Sequence, residues 1–175
     1  MPALRDIDWE SIVVTYGPYV WRTAYRILGN PEEASDCFQE TFVSAFRVSQ
    51  RKEINHWPAL LRRLAAARAI ERLRRRFRES GRRRRLHELA DLPGGNPSPP
   101  QQAETAELRT RLRQAIARLP KRQAEVFCLR HLESLSNQEI ADQLGLKPNA
   151  VRISLHRACK RLRGLLEAAA FREER

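Results

Sequence analysis

The stretch that decides the fold is SNQEIADQLGLKPNAVRISLHRACKRL, residues 136–162. Ser136, followed three residues later by Glu139, is the signature of a capping box, which starts a helix. Gly145 supplies a sharp turn, and Pro148 suits the first position of the next helix. A short helix, a glycine turn and a longer basic helix predict a helix-turn-helix, the second helix of which enters the major groove of DNA.

The second helix of this motif has an apolar side and a polar side at 100° per residue. The residues predicted to face inward are Val151, Leu155, Ala158 and Leu162. Those predicted to face outward are Asn149, Arg152, Ile153, His156 and Lys160. The outward side combines cations with an amide, and such groups contact phosphates and base edges. A plain helical hairpin is the alternative interpretation of the same pattern.

A segment rich in proline and glycine precedes the motif. LADLPGGNPSPPQQAE, residues 89–104, holds four of the ten prolines and two adjacent glycines. Proline lacks the amide hydrogen that a helix interior needs, so this segment cannot be one. We therefore predict an all-α chain of two small helical domains, residues 1–80 and 105–175, joined by a flexible linker over 81–104.

Three helical patterns, and no convincing strand, account for the N-terminal domain. The first runs from about Asp8 to Leu28, and Gly29-Asn30-Pro31 then ends it and starts the second. The second helix places an aromatic stripe on one side. Its other side carries a compact acidic and amide patch: Asp36, Gln39, Glu40 and Val43. By itself, such a patch is typical of a solvated helix face.

The third helix is predicted to start near Trp57-Pro58 and to change its buried face along its length. The first half buries leucines, whereas the second half buries a different apolar set and carries five arginines, with Arg82–Arg85 beyond. This shift predicts a bend or a change of packing partner. Arginines at such density repel one another unless an anion compensates. Nearby Trp57 and Phe77 suit stacking on unpaired bases, although a basic tail with core aromatics is the alternative.

Charge is segregated along the 175 residues, the net charge of which is +12. The net charge is −3 over residues 1–50, +11 over 51–85, −3 over 86–110 and +7 over 111–175. All but four of the 33 basic residues are arginine, which makes bidentate contacts to phosphate and guanine. Two basic blocks that flank an acidic connector predict two contacts with one polyanion.

Several classes of protein are disfavoured. No run approaches the roughly 20 apolar residues of a membrane span, and MPALRDIDWE lacks the basic and apolar regions of a signal peptide, so we expect a cytoplasmic protein without membrane insertion. Cys37, Cys128 and Cys159 form no CxxC pair, and Cys128 with His131 lacks two further ligands. We predict no metal, cofactor or small-molecule substrate. The sequence offers no nucleophile–base pairing or phosphate-binding glycine loop, which disfavours an enzyme.

Parts of both domains resemble bacterial sigma factors. YGPYVWRTAYRILGNPEEA (16–34) and DCFQETFVSAF (36–46) are similar to the region that binds core RNA polymerase. LPKRQAEVFCLRHLESLSNQEIADQLGLKPNAVRISLHRACKRL (119–162) is similar to the promoter-reading C-terminal region. With these two domains alone, the chain resembles the small extracytoplasmic-function group of the sigma-70 family.

The resemblance implies a dissociable promoter-specificity subunit with no catalysis of its own. It implies that Asp36, Gln39, Glu40 and Val43 dock on the clamp helices of the large polymerase subunit. A further polymerase contact, at the flap region, is also implied. Contacts to the minus-ten element would come from Trp57, Arg68, Arg72, Arg74, Arg75, Arg76 and Arg78. Contacts to the minus-thirty-five element would come from Lys147, Asn149, Arg152, Ile153, Ser154, His156, Arg157 and Lys160. An anti-sigma partner, often membrane-anchored, is also implied.

Six residues, at three places in the chain, depart from the family pattern. Ala66-Ala67 stands where relatives usually have Arg-Asn, Leu60 where many have tryptophan, and Arg152-Ile153-Ser154 where Lys-Ser-Arg is common. An unusual promoter is the interpretation we favour. The alternatives are weaker melting, a sigma-like decoy that binds only an anti-sigma factor, and, for the whole chain, a stand-alone helix-turn-helix regulator. A decoy that binds only a protein has no need of the +11 and +7 charge blocks, which argues against it. A stand-alone regulator leaves the patch at 36–43 unexplained.

Overall fold

The computed structural model describes residues 7–87 and 100–173, with side chains for 7–82 and 105–169. The described residues form seven helices and no strand, which confirms the all-α prediction. The helices are α1 (Trp9–Leu28), α2 (Pro31–Ser49), α3 (Trp57–His87), α4 (Pro100–Arg118), α5 (Lys121–His131), α6 (Asn137–Leu144) and α7 (Pro148–Glu173).

The junction between α1 and α2 is set by local side-chain and backbone preferences. Gly29 ends α1 in the left-handed conformation, with φ of +67°, which glycine adopts without a steric penalty. The side chain of Asn30 then accepts a hydrogen bond from the backbone N–H of Glu33 at 2.9 Å, and Pro31 is the first residue of α2. Both predicted boundaries are confirmed.

The helix-turn-helix is built as the sequence predicts. The Ser136 hydroxyl accepts from the backbone N–H of Glu139 at 3.2 Å, and the Ser136 N–H donates to the Glu139 carboxylate at 2.8 Å. Gly145 has φ of +65° and ends α6. On α7, Val151 and Ala158 are buried against the neighbouring helices. The outward face of α7 is thereby fixed.

The capping box gives a first prediction. We expect Ser136→Ala to lower the free energy of unfolding by about 1 kcal/mol, because the Glu139 N–H loses its hydrogen-bond partner. Urea unfolding followed by circular dichroism measures the change. Ser11→Ala, at an exposed position of α1, is the control and should leave the midpoint nearly unchanged. Equal midpoints for Ser136→Ala and wild type would contradict the assignment.

Helix α3 packs into two different hydrophobic clusters. Its first half contributes Leu61 and Ala65 to a cluster with Val20 of α1 and Phe42 of α2. Its second half contributes residues such as Ile70 to a larger cluster. The predicted change of packing partner is therefore present, and it explains why the buried face shifts along the helix.

The larger cluster joins the two halves of the chain. Ile27 of α1 and Leu73 of α3 belong to the same cluster as Ile116 of α4 and Val126 of α5. The prediction of two domains had left their arrangement open. In the structure α4, α5 and α6 of the C-terminal half pack against α3 of the N-terminal half, and side-chain hydrogen bonds join the same half to α1.

The predicted linker at 81–104 is helical at both ends. Helix α3 continues through Arg82–Arg85 to His87, and α4 begins at Pro100. Arginine is a strong helix former, and proline is tolerated at the first helical position, so both extensions are consistent with residue preferences. The predicted extended proline stretch at 88–99 lies outside the described residues.

Candidate nucleic-acid and protein interfaces

The patch predicted on α2 lies at the surface. Asp36, Gln39 and Val43 are exposed, and Glu40 is half-buried. Val43 is 50% exposed and Phe46, one turn later, is 46% exposed. Sequence reasoning did not assign a role to Phe46, although its position three residues after Val43 places both on one face. The surface therefore combines an apolar centre with carboxylates and an amide, which suits a protein partner. We call these five residues the α2 patch.

Arg72 of α3 braces the acidic part of the α2 patch. Its guanidinium donates to both carboxylate oxygens of Glu40, at 2.6 and 3.2 Å, and to Asp36 at 3.2 Å. This hydrogen bonding lowers the pKa of Glu40 below its usual value and raises the pKa of Arg72. The Arg72 side chain is only 13% exposed. The structure therefore places this predicted DNA contact against α2.

Two more of the predicted DNA-contacting arginines bind backbone carbonyls at helix ends. Arg74 donates to the carbonyl of Leu119, just after α4. Arg76 donates to the carbonyl of Leu28 at 3.1 Å and to Glu33 at 2.6 Å. Arginine in this position satisfies carbonyls that lack a partner within their own helix.

The other three arginines predicted to contact DNA, Arg68, Arg75 and Arg78, line a groove of about 630 Å³ between α2 and α3. Arg68 donates to Glu71 at 3.0 Å and to the Ser44 hydroxyl at 3.2 Å. Arg75 and Arg78 are exposed and have no ion pair among the side chains that the structure describes. Of the six arginines predicted to contact the minus-ten element, these two are the most available to a nucleic-acid phosphate.

Trp57 is part of an aromatic cluster at the start of α3. Its ring centroid lies 5.2 Å from that of Trp9, with the planes at 78°, and the Trp57 side chain is half-buried. Phe77 is also half-buried, with the Arg76 guanidinium 5.0 Å from its ring centroid. Both aromatic rings that are predicted to stack on bases are therefore partly buried in the protein, and only the rest of each ring is accessible to a base.

The predicted reading face of α7 and the preceding turn is accessible. Ser154 is half-buried, and the other side chains predicted to contact the minus-thirty-five element are exposed: Lys147, Asn149, Arg152, Ile153, His156, Arg157 and Lys160. The Asn149 side-chain oxygen accepts from the Arg152 guanidinium at 2.9 and 3.2 Å, which orients Arg152 on this face. Cations at the N-terminal end of such a helix lie where base edges are read.

A set of polar contacts between the two halves carried no local signal in the sequence. The Tyr19 hydroxyl donates to Glu133 at 2.7 Å, and Arg26 donates to the carbonyl of Leu132 at 2.8 Å. Arg113 donates to the carbonyl of Ile27 at 3.0 Å. Burial, followed by the Glu133 carboxylate, raises the pKa of Tyr19 to about 12. These partners are far apart along the chain, so periodicity cannot pair them.

Neither of two further kinds of site is present in the described ranges, 7–87 and 100–173. No helix there is long and apolar enough to cross a membrane. No group of three or more histidine, cysteine or acidic side chains there is placed to hold a metal ion. Cys128, which has ligand-like spacing to His131, is fully buried, whereas His131 is exposed.

Comparison with known proteins gives matches in both halves of the chain. Residues 12–79 match the family model for sigma-70 region 2, and residues 109–162 match that for sigma-70 region 4. The chain is 35% identical over 162 residues to the ECF RNA polymerase sigma factor SigE of Mycolicibacterium smegmatis, covering 91% of this chain but only 62% of that relative. It is 30% identical to the RNA polymerase sigma-E factor of Streptomyces coelicolor, covering 97% and 95% of the two chains.

A solved structure shares the fold. It is the sigma factor RpoE in complex with the anti-sigma factor NepR from Bartonella quintana, with 19% sequence identity and a TM-score of 0.52. The similarity covers 91% of this chain and 97% of that one.

Proposed function

The chain belongs to the extracytoplasmic-function group of the sigma-70 family, and we propose that it is the promoter-specificity subunit that directs core RNA polymerase to a dedicated set of promoters. The observation that carries this proposal is the pairing of two surfaces in one chain. The exposed α2 patch lies in the region 2 match, and the exposed face of α7 lies in the region 4 match. A stand-alone DNA-binding regulator has no need of the first surface.

Docking on core polymerase is assigned to the α2 patch. The apolar side chains of Val43 and Phe46 would be desolvated at the centre, while Asp36 and Glu40 would face cations at the rim. The Arg72 brace supports this role, since it holds both carboxylates on one side of the patch. The clamp helices of the large subunit are the proposed partner, and the C-terminal half would contact the flap region.

Promoter DNA is assigned to α3 and α7. In duplex DNA the exposed face of α7 would read the minus-thirty-five element. Arg75 and Arg78 would lead the contacts of α3 with the minus-ten element, with Arg68 beside them in the groove. Strand separation would be driven by binding energy alone, because neutralised phosphates and captured bases offset the lost stacking. The chain itself would catalyse no reaction.

An anti-sigma factor is the proposed regulatory partner. The support is the fold shared with a sigma factor that was solved in complex with an anti-sigma factor. We place the chain in the bacterial cytoplasm, where core polymerase and promoter DNA are found. An anti-sigma partner anchored in the membrane would hold the chain at the membrane surface until the chain is released.

A test of the docking surface is the pair Gln39→Ala with Val43→Ala. Both side chains are exposed, so the fold should be preserved while affinity for core polymerase falls about tenfold, because truncating an interface anchor typically costs more than about 1 kcal/mol. Fluorescence anisotropy with labelled chain measures the affinity. Val14→Ala with Thr15→Ala, exposed on α1, is the control. Loss of DNA binding by the first pair, with polymerase binding intact, would reverse the assignment.

A further inference from the structure

One large apolar side chain lies among the polar groups on the reading face of α7. Ile153 is 40% exposed, whereas Val151, two residues earlier, is fully buried. Two residues correspond to a rotation of about 200° around a helix, so Ile153 lies on the side opposite the core. It belongs to neither of the two hydrophobic clusters that form the core. Ile153 is therefore not an extension of the protein interior.

The position of Ile153 distinguishes it from an ordinary exposed apolar residue, which needs no function by itself. It lies within the first two turns of α7, which begins at Pro148. Residues in these turns of the second helix of a helix-turn-helix contact base edges. Asn149, Ile153 and His156 are spaced by four and three residues, so they form one exposed stripe. Ile153 is thus placed among side chains that read bases.

The polar neighbours of Ile153 are already oriented towards each other. The Arg152 guanidinium donates through Nε and Nη2 to Oδ1 of Asn149, at 3.2 and 2.9 Å. This oxygen is the atom through which an asparagine accepts from adenine, so the pair contact to adenine competes with Arg152. Arg152 keeps further N–H donors for guanine or phosphate. Ile153 has no polar side-chain atom, so it distinguishes bases by apolar contact alone.

Thymine is the base that offers such a contact in the major groove. Its C5 methyl group is apolar, whereas adenine, guanine and cytosine present hydrogen-bonding groups there. An aliphatic side chain pressed against those groups would remove their water without replacing its hydrogen bonds, which is unfavourable. Contact with a methyl group instead removes apolar surface of both partners from water, which is favourable.

We propose that Ile153 is a specificity-determining residue that packs against the C5 methyl group of a thymine in the minus-thirty-five element. This inference rests on the proposed function of α7 as the reader of duplex DNA. It gives a physical meaning to the departure at Ile153, where relatives commonly have serine. A serine hydroxyl can hydrogen-bond to several bases, whereas isoleucine selects for the methyl group.

The test uses the full chain in complex with core RNA polymerase. Duplexes that the complex retains from a pool with a randomised upstream sequence identify the element. Each thymine of this element is then replaced singly by deoxyuridine, which lacks only the methyl group. We expect one of these replacements to weaken binding about fourfold, equivalent to about 0.8 kcal/mol for a methyl-sized group.

Ile153→Ala assigns this methyl contact to its side chain. The position is exposed and alanine is a strong helix former, so the fold should be preserved. The variant should bind the thymine and deoxyuridine duplexes equally well at the sensitive position. Leu108→Ala, which truncates an exposed apolar side chain on α4, is the matched control and should keep the fourfold difference. Ile153→Ser should relax the base preference at this position when the selection is repeated.

Three results would overturn the role of Ile153. They are a retained element that contains no thymine, equal affinity for thymine and deoxyuridine at every position, or a difference that persists in Ile153→Ala. Each of them includes duplexes that the complex retains, so each leaves the proposed function standing. Retention no greater than with core polymerase alone would instead contradict the proposed function, and the role of Ile153 with it.

Discussion

Replacing both Arg75 and Arg78 with alanine should reduce promoter opening at least about 100-fold while leaving polymerase binding intact. Both guanidiniums are exposed in the groove between α2 and α3, and neither has an ion pair among the described side chains. Two charge-assisted contacts of about 1.5 kcal/mol or more each account for a change of this size. Permanganate reactivity of unpaired thymines in the polymerase complex measures the opening.

The same variant should also change the salt dependence of DNA binding. Loss of two phosphate contacts lowers the slope of log affinity against log salt by about 0.7 per contact on single strands. Arg22→Ala with Arg51→Ala removes two exposed cations elsewhere on the N-terminal half and should leave promoter opening near the wild-type level. Normal opening by the Arg75/Arg78 variant would remove the minus-ten role from this part of α3.

Arg72→Ala should lower the free energy of unfolding by about 2 kcal/mol near neutral pH. Its bidentate bond to Glu40 is charge-assisted, and such bonds contribute about 1.5–3 kcal/mol, a range reduced here because the Glu40 side chain is 44% exposed. The substitution removes the guanidinium that is hydrogen-bonded to Asp36 and Glu40, so the two carboxylates should be less well ordered and the α2 patch should also bind polymerase more weakly. Arg72→Lys keeps the charge but loses the fork geometry, and should fall between wild type and alanine.

The pH dependence of this effect has a definite sign. Because Arg72 lowers the pKa of Glu40 in the folded state, the contribution to stability is complete above the unfolded-state pKa of about 4.3. This contribution to stability is lost as the pH falls through the folded-state pKa of Glu40. The difference between wild type and Arg72→Ala in urea unfolding should therefore shrink in acid. A difference that stays constant down to strongly acidic pH would show that the Glu40 pair does not carry it.

Local signals in the sequence were sufficient for several helix ends, but they missed the end of α3 at His87 and the start of α4 at Pro100, which lie inside the predicted linker. Gly29 with Asn30, and Ser136 with Glu139, act within a few residues, so their geometry follows from residue type alone. The outward face of α7 was predicted equally well, because the apolar residues identify the buried side of the helix and the opposite side must then face outward. Four of the five residues of the α2 patch were found for the same reason, and Phe46 was missed.

The tertiary partners of the α3 arginines could not be predicted from the sequence. A cationic run on α3 predicts attraction to some anion, and it does not distinguish a DNA phosphate from Glu40 or from the carbonyl of Leu119. Arg72 and Glu40 are 32 residues apart, and Arg74 and Leu119 are 45 apart, so no periodicity links them. The packing of the two halves could not be predicted for the same reason, because it depends on contacts between residues before position 88 and residues after position 99.

The most direct test of the central claim is transcription by core RNA polymerase with and without the purified chain, on a pool of genomic promoter fragments. As a sigma factor, the chain should produce discrete transcripts that are absent without it. Their upstream sequences should share an element at the spacing that α7 reads, and Arg152→Ala should change which fragments are used. Failure to bind polymerase and to yield any chain-dependent transcript, with a folded protein, would contradict the account and favour a decoy that binds only an anti-sigma factor.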